Sequence, residues 1–248
     1  MPNLSISDNT SLTATFTSNN YQLYSTLTSD EVSYNNFKIN DLYLKSKTAK
    51  DKTTANLTIE EFVIKEATEK NPVKLSLDNL NFMLDAHSDS LLFNIAWDDD
   101  AKEDRNKADI KTSFVAYSGS GGLLRVSSSD IIINDSVWNI SPLCYIDFKK
   151  NKTYINHFDI YSGNQSVSLN GLFPKNNNDT LYIDFDRFDI SNFDLLSKGY
   201  NIDIDGFIDG SFQMSGLSKR FTFFSNLDVE DIAINKHVVG DAILDDIY

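Results

Sequence analysis

Apolar and polar residues alternate with a period of two along most of the chain. Leu4 and Ile6, then Leu12, Ala14 and Phe16, are separated by Ser and Thr. Leu57 and Ile59 lead into Phe62 and Ile64, and Val73, Leu75 and Leu77 follow Pro72. Leu91, Phe93, Ile95 and Trp97 alternate with Leu92, Asn94 and Ala96. In the second half Val167 and Leu169 share a face, as do Leu181, Ile183 and Phe185. Ile208, Phe212, Met214, Phe221 and Phe223 continue the theme. This periodicity predicts strands with one apolar and one wet face, paired in a repetitive, mostly antiparallel sheet. Strands of about six residues would each span roughly 20 Å.

One short unit recurs within the alternation: a polar residue, then two apolar residues flanking a single position. It reads Asp41-Leu42-Tyr43-Leu44, Glu61-Phe62-Val63-Ile64, Asn79-Leu80-Asn81-Phe82 and Ser113-Phe114-Val115-Ala116. It returns as Asp130-Ile131-Ile132-Ile133, His157-Phe158-Asp159-Ile160, Arg187-Phe188-Asp189-Ile190 and Asp231-Ile232-Ala233-Ile234. A chain of repeated two-faced strands places its function on a long surface rather than in a compact site.

Turn chemistry divides the strands. Residues 45–54 and 65–71 read as polar hairpin tips, 98–104 as a charged loop, and 118–122 and 174–180 as Gly- and Asn-containing turns. No Pro/Gly/Ser-rich linker interrupts the chain, so 1–248 is expected to form one elongated β module. One short helix is expected over 191–198. Ser191 would cap it, Asp194 takes the capping-box position, Phe193, Leu195 and Leu196 form an apolar side, and Gly199 stops it. Two turns need packing to persist, so this segment is expected to lie as a plug against the apolar face.

Composition sharpens the strand reading. The chain has 29 Asp against 7 Glu, with 26 Asn beside them and only 4 Pro and 10 Gly. Short Asx side chains favour turns over helix interiors, so Asn and Asp are expected to make most of the turns. The net charge of −14 disfavours nucleic acid and docking on anionic lipid headgroups through a basic patch. Cys144 is the single cysteine, so no internal disulfide forms, and it reads as a small buried hydrophobe. No apolar window approaches the length of a spanning helix, and the start lacks the charged and apolar regions of a signal peptide. Ending just after a strand-like run, the chain reads as a piece of a longer polypeptide.

No motif carries catalytic chemistry. Residues 201–206 imitate the opening of a calcium loop, but Phe212 stands where the bidentate Glu belongs. An edge strand with outward aspartates is the expected reading. His87, His157 and His237 lack partners at metal-ligand spacing. Ser127-Ser128-Ser129-Asp130 lacks a nucleophile elbow, and Ser118-Gly119-Ser120-Gly121-Gly122 lacks the ending of a phosphate loop. No enzyme activity, cofactor or metal is expected.

The stretch 147–245 resembles a known family. It carries Thr153-Tyr154-Ile155-Asn156-His157-Phe158-Asp159-Ile160, Ser166-Val167-Ser168-Leu169-Asn170-Gly171 and Leu181-Tyr182-Ile183-Asp184-Phe185. The expected helix, Asp205-Gly206, Asp209-Gly210, Ser215-Gly216, Val229-Glu230-Asp231-Ile232-Ala233-Ile234 and Gly240 follow. This order is similar to that of AsmA-like proteins, and among them the TamB translocation and assembly group, with a vocabulary like that of Bacteroidetes-type members. The resemblance implies an all-β sheet curled into a half-pipe with an apolar groove, in the periplasm and attached to the inner membrane through a segment absent here. It implies carriage of phospholipid between the two membranes, or assistance to outer-membrane protein assembly with a BamA/TamA-type barrel as partner.

The expected groove wall is Val167, Leu169, Leu181, Ile183, Phe185, Phe212, Met214, Phe221, Phe223, Ile232 and Ile234, with Phe193, Leu195 and Leu196 as a local plug. Some sixteen strands about 4.8 Å apart would make a trough on the order of 75 Å long. The alternatives are a closed sandwich burying the same residues, and a structural or adhesive β-repeat protein of the cell envelope that binds no lipid.

Overall fold

A computed structural model describes residues 4–67, 74–102, 105–193, 202–218 and 220–245. Among them it is all-β: seventeen strands of one antiparallel sheet that does not close into a barrel. The chain divides into two compact units, 1–114 with 129–135, and 115–128 with 136–248.

In the first unit, β1 (Leu4–Ile6) and β2 (Ser11–Thr17) both pair with β3 (Gln22–Tyr34). From β3 the chain meanders through β4 (Phe37–Ala49), β5 (Lys52–Lys65), β6 (Leu75–His87) and β7 (Ser90–Asp98), each pairing with the next. The division between the units runs through β8 (Lys107–Ala116) and β9 (Gly122–Ile133). Thr112 Oγ1 donates to the Phe93 carbonyl at 3.1 Å, tying β8 to β7.

The second unit holds β10 (Ser136–Ile140), β11 (Tyr145–Lys149), β12 (Lys152–Ser162), β13 (Gln165–Leu172), β14 (Thr180–Asp189), β15 (Ile204–Ser215), β16 (Thr222–Ile234) and β17 (His237–Asp245). From β11 to β17 each strand pairs antiparallel with its successor.

Asx residues make the turns, as composition predicts. Two-residue turns join seven hairpins: Asn35-Asn36, Lys50-Asp51, Ser88-Asp89, Asn134-Asp135, Lys150-Asn151, Gly163-Asn164 and Asn235-Lys236. Asn134, Asp135, Asn235 and Lys236 all have positive φ, between 47° and 66°, so both central residues of these two turns have the left-handed backbone that matches strand twist.

The strands correct the expected lengths. β3, β4, β6 and β16 have 13 residues each and β5 has 14, more than twice the expected six. The polar tip expected at 45–54 is mostly strand, with only Lys50 and Asp51 in the turn. Its Lys, Ser and Thr side chains alternate between the faces and pair across β4 and β5, so polarity did not mark a loop.

The recurring unit explains the misreading. Its first residue is left-handed in five of the eight copies: Asp41, Asn79, His157, Arg187 and Asp231 have φ between 42° and 53°. In the second unit these positions are β-bulges. Ile155 faces Gly171 and Phe158 faces Leu169, so two residues of β12 oppose one of β13. The same slip separates Phe185 from Phe188 and Val229 from Ile232. An extra residue shifts the alternation by one, and so a single long strand reads in sequence as two short ones.

These three bulges are capped in the same way. The His157 N–H donates to Asn170 Oδ1 at 2.8 Å, that of Arg187 to Asp209 Oδ1 at 2.8 Å, and that of Asp231 to Asp241 Oδ1 at 3.0 Å. Every acceptor adjoins a positive-φ glycine: Gly171, Gly210 or Gly240. Replacing Asp209 with Ala removes one cap and is expected to cost about 1 kcal/mol. Urea unfolding should show a lower midpoint for Asp209→Ala and nearly the parental one for Asp209→Asn, which keeps an acceptor.

Two local expectations change. Ile190–Phe193 form one 3₁₀ turn, and its cap is Asp189, whose Oδ1 accepts from the Ser191 N–H at 2.9 Å. Ser191 lies inside the turn because Asp189 already supplies the carboxylate two residues earlier. Leu195, Leu196 and the remainder of the expected helix lie outside the described residues. The strand expected at the edge near residues 201–206 starts at Ile204 and is interior, hydrogen-bonded to both β14 and β16.

Candidate functional site

Register decides which side chains share a face. Directly opposed residues in an antiparallel sheet project to the same side, as do residues two apart on one strand. In the second unit one row runs Leu124, Ile146, Ile155, Gly171, Leu181, Met214 and Phe223 across β9 and β11–β16. Beside it lie Phe158, Leu169, Ile183, Phe212 and Ser225, then Ile160, Val167, Phe185, Gly210, Leu227 and Leu244. Past the bulges the next row is Phe188, Ile208, Val229 and Ala242. Each bulge adds one residue, so the apolar positions on both of its sides stay on one face.

The expected wall residues therefore stand together. Val167, Leu169, Leu181, Ile183, Phe185, Phe212, Met214 and Phe223 occupy three adjacent rows, and Ile232 and Ile234 continue the face of β16 beyond its bulge. Phe221 precedes β16 and packs on Phe223, ring centroids 5.6 Å apart. Leu181 is buried, Phe221 and Ile234 are exposed, and the others are half-buried. The plug residue Phe193 is exposed but packs its ring, tilted, against Phe188 with centroids 5.1 Å apart. Phe188 also meets Trp138 and Phe185, each at 5.9 Å.

Sequence reading missed Trp138, Phe188, Leu227 and Val229 as members of this surface, and all four are buried. Leu227 and Val229 were legible, since they alternate with Asn226, Asp228 and Glu230. Phe188 was hidden by the bulge before it. Trp138 depends on packing from a strand distant in sequence and left no local signal.

The first unit carries an apolar face of its own. Leu12, Leu27, Leu44, Leu57, Phe82 and Ile95 are directly opposed in turn from β2 to β7. The rows on the other face are mostly polar, for example Thr13, Thr26, Lys45, Asn56 and Asn94 with Met83 among them. The strand rhythm of the N-terminal half thus encodes the same two-faced sheet as the stretch that carries the resemblance.

These faces are incompletely covered. Among the described residues Ile59, Val63, Trp138, Leu181, Phe188, Leu227 and Val229 are buried, while most of the other residues of the apolar rows are half-buried.

Polar chemistry lies elsewhere. A cleft of about 680 Å³ in the first unit is lined by Asp30, Asp41, Glu60, Glu61, Asp78, Asp99 and Asp100, with Asn40 and Asn79. Lys74, hydrogen-bonded to Glu61, holds that carboxyl below the usual range. The fork of Arg105 on Asp98 does the same for its partner. Among the described residues no three His, Cys, Asp or Glu side chains are arranged to hold a metal ion. His87 lies 3.1 Å from Asp51, His157 sits at a bulge and His237 contacts the Asn235 carbonyl, so the histidines are not brought together. Cys144 is fully buried, and burial pushes its thiol up to about 11, which suits a packing residue rather than a nucleophile.

No family model matches the chain, and comparison with curated proteins and with solved structures finds no match either.

Proposed function

We propose that this chain is a hydrophobic-surface module of an AsmA/TamB-like envelope protein that takes phospholipid acyl chains on the apolar face of its sheet. The carrying observation is the set of adjacent apolar rows from β12 to β16, on one face, half-buried at most positions and free of charged side chains. Each lipid methylene removed from water contributes about 0.8 kcal/mol, so such rows favour acyl chains without any directed polar contact. The residue order from Asn170-Gly171 to Gly240 supports the family reading, and the bulges give that order a physical reason.

On this reading the protein is not an enzyme and works in the periplasm between the inner and outer membranes. A BamA/TamA-type barrel is the outer-membrane partner. Carriage of lipid is favoured over a purely structural or adhesive repeat because most of the apolar row residues keep part of their surface accessible in both units. Native mass spectrometry of the chain purified from a bacterial host without detergent tests it, with phospholipid adducts as the expected result.

A further inference from the structure

We infer that one end of the second unit is a docking surface for anionic bilayers, built from the strand connections that follow β11, β13 and β15. This goes beyond carriage on the apolar face and does not depend on it.

Alternate turns of an antiparallel meander lie at the same end of the sheet, and hydrogen bonds join these three. The Phe173 N–H donates to the Thr153 carbonyl and the Leu217 N–H to the Pro174 carbonyl, each at 2.8 Å. The Gly216 N–H donates to the Asn176 carbonyl at 3.2 Å, and Pro174 is fully buried. The tips thus form one fixed surface.

Its charge opposes that of the chain. Among the described residues of 147–153, 172–180 and 215–222, Lys149, Lys150, Lys152, Lys175 and Arg220 stand against Asp147 and Asp179 alone. All these cations are exposed. Lys149 lies 3.2 Å from Asp147 and Lys152 3.7 Å from Asp179, while Lys150, Lys175 and Arg220 have no ion pair among the described residues. The net charge of −14 disfavours anionic headgroups for the chain as a whole, but not at this end.

Apolar side chains stand among the cations: Phe173 is 48% exposed, Leu217 49% and Phe221 50%. A polyanion such as nucleic acid has use for the charges only. A bilayer surface takes both, the headgroups meeting the cations and the acyl boundary the apolar tips. Leu181, Met214 and Phe223 of the apolar rows lie one residue inside the last ladder row, Thr180, Ser215 and Thr222. A docked unit therefore brings the end of its apolar face to the bilayer.

Flotation of the whole chain with lipid vesicles tests this. Binding is expected to an equal mixture of phosphatidylglycerol and phosphatidylcholine, weakened by high salt, and not to phosphatidylcholine alone. Lys150→Glu/Lys175→Glu should lower partitioning by about tenfold or more. Lys45→Glu/Lys47→Glu makes the same change of net charge at exposed positions of β4 and should stay within about threefold of the parental chain. Phe173→Ser/Leu217→Ser keeps the charge and should also lower partitioning about tenfold. Ile183→Asp alters the apolar face but not the tips, and should bind vesicles as the parental chain does, so this inference and the lipid-carrier reading fail separately. Circular dichroism checks that each variant keeps the fold. A parental chain that ignores anionic vesicles, or binds both kinds alike, overturns the proposal. So does loss of binding in Lys45→Glu/Lys47→Glu or in Ile183→Asp, or retention in Lys150→Glu/Lys175→Glu. Binding lost with the lysines but kept by Phe173→Ser/Leu217→Ser also overturns it, and assigns the tips to a polyanion instead.

Discussion

Replacing Ile183 with Asp is expected to abolish phospholipid retention by the purified chain while leaving it folded. Ile183 lies in the middle row of the apolar face, directly between Leu169 and Phe212, and is half-buried. A carboxylate there stays hydrated while the face is open. An acyl chain laid over it would strip that water, which costs several kcal/mol, against about 0.8 kcal/mol gained per methylene. Since about 1.4 kcal/mol is tenfold in affinity, the loss should exceed tenfold. Phe223→Asp should behave alike, because Phe223 faces Met214 in the adjoining row. Tyr182→Asp is the matched control. Its side chain is 45% exposed and projects to the other face, opposite Asn170 and Gln213, so lipid retention should be unchanged.

The second large effect is on stability. Gly210 has φ 115° and lies between Phe185 and Leu227 on the apolar face, just before the bulge at Arg187. A Cβ added there would sit 2.1 Å from the Asn226 carbonyl oxygen, a backbone atom held in the ladder that cannot yield. Gly210→Ala therefore combines a forbidden φ with a backbone clash and should destabilise the second unit by about 3 kcal/mol or more. Gly119→Ala, with nothing within 4 Å of its added Cβ, should be near neutral. Urea titration followed by tryptophan fluorescence checks both, with Trp138 reporting on the second unit. Equal midpoints for the two variants would contradict the reading of Gly210 as a required close approach.

Much of this architecture was legible from residue order. Alternation at Leu181, Ile183 and Phe185, or at Leu91, Phe93 and Ile95, needs only the two-residue period of a strand. The surplus of Asn and Asp over Gly and Pro foretold turns such as Asn134-Asp135 and Asn235-Lys236. Strand length was not legible. Arg187 and His157 carry no mark of a left-handed backbone in their own chemistry, and their bulges exist because Asp209 and Asn170 stand opposite. That pairing is fixed by tertiary register and not by neighbours in sequence. The same limit hid Phe188 and Trp138, whose packing joins strands 50 residues apart, and it set Asp189 in place of Ser191 as the cap of the 3₁₀ turn.

The bulges also give the recurring polar-apolar-x-apolar unit a function. At His157, Arg187 and Asp231 they absorb one residue each and so hold apolar side chains to one face along strands of up to 13 residues. Without them each long strand would turn half its apolar residues to the wet side. The unit is thus a device for making a long one-sided surface, which is what an acyl-chain carrier requires.

The most direct measurement is native mass spectrometry of the parental chain and Ile183→Asp, both purified from a bacterial host without detergent. The account predicts phospholipid-mass adducts on the parental chain, their loss in Ile183→Asp, and their retention in Tyr182→Asp. A parental chain that flies only at its bare mass, or adducts that persist in Ile183→Asp, would contradict it.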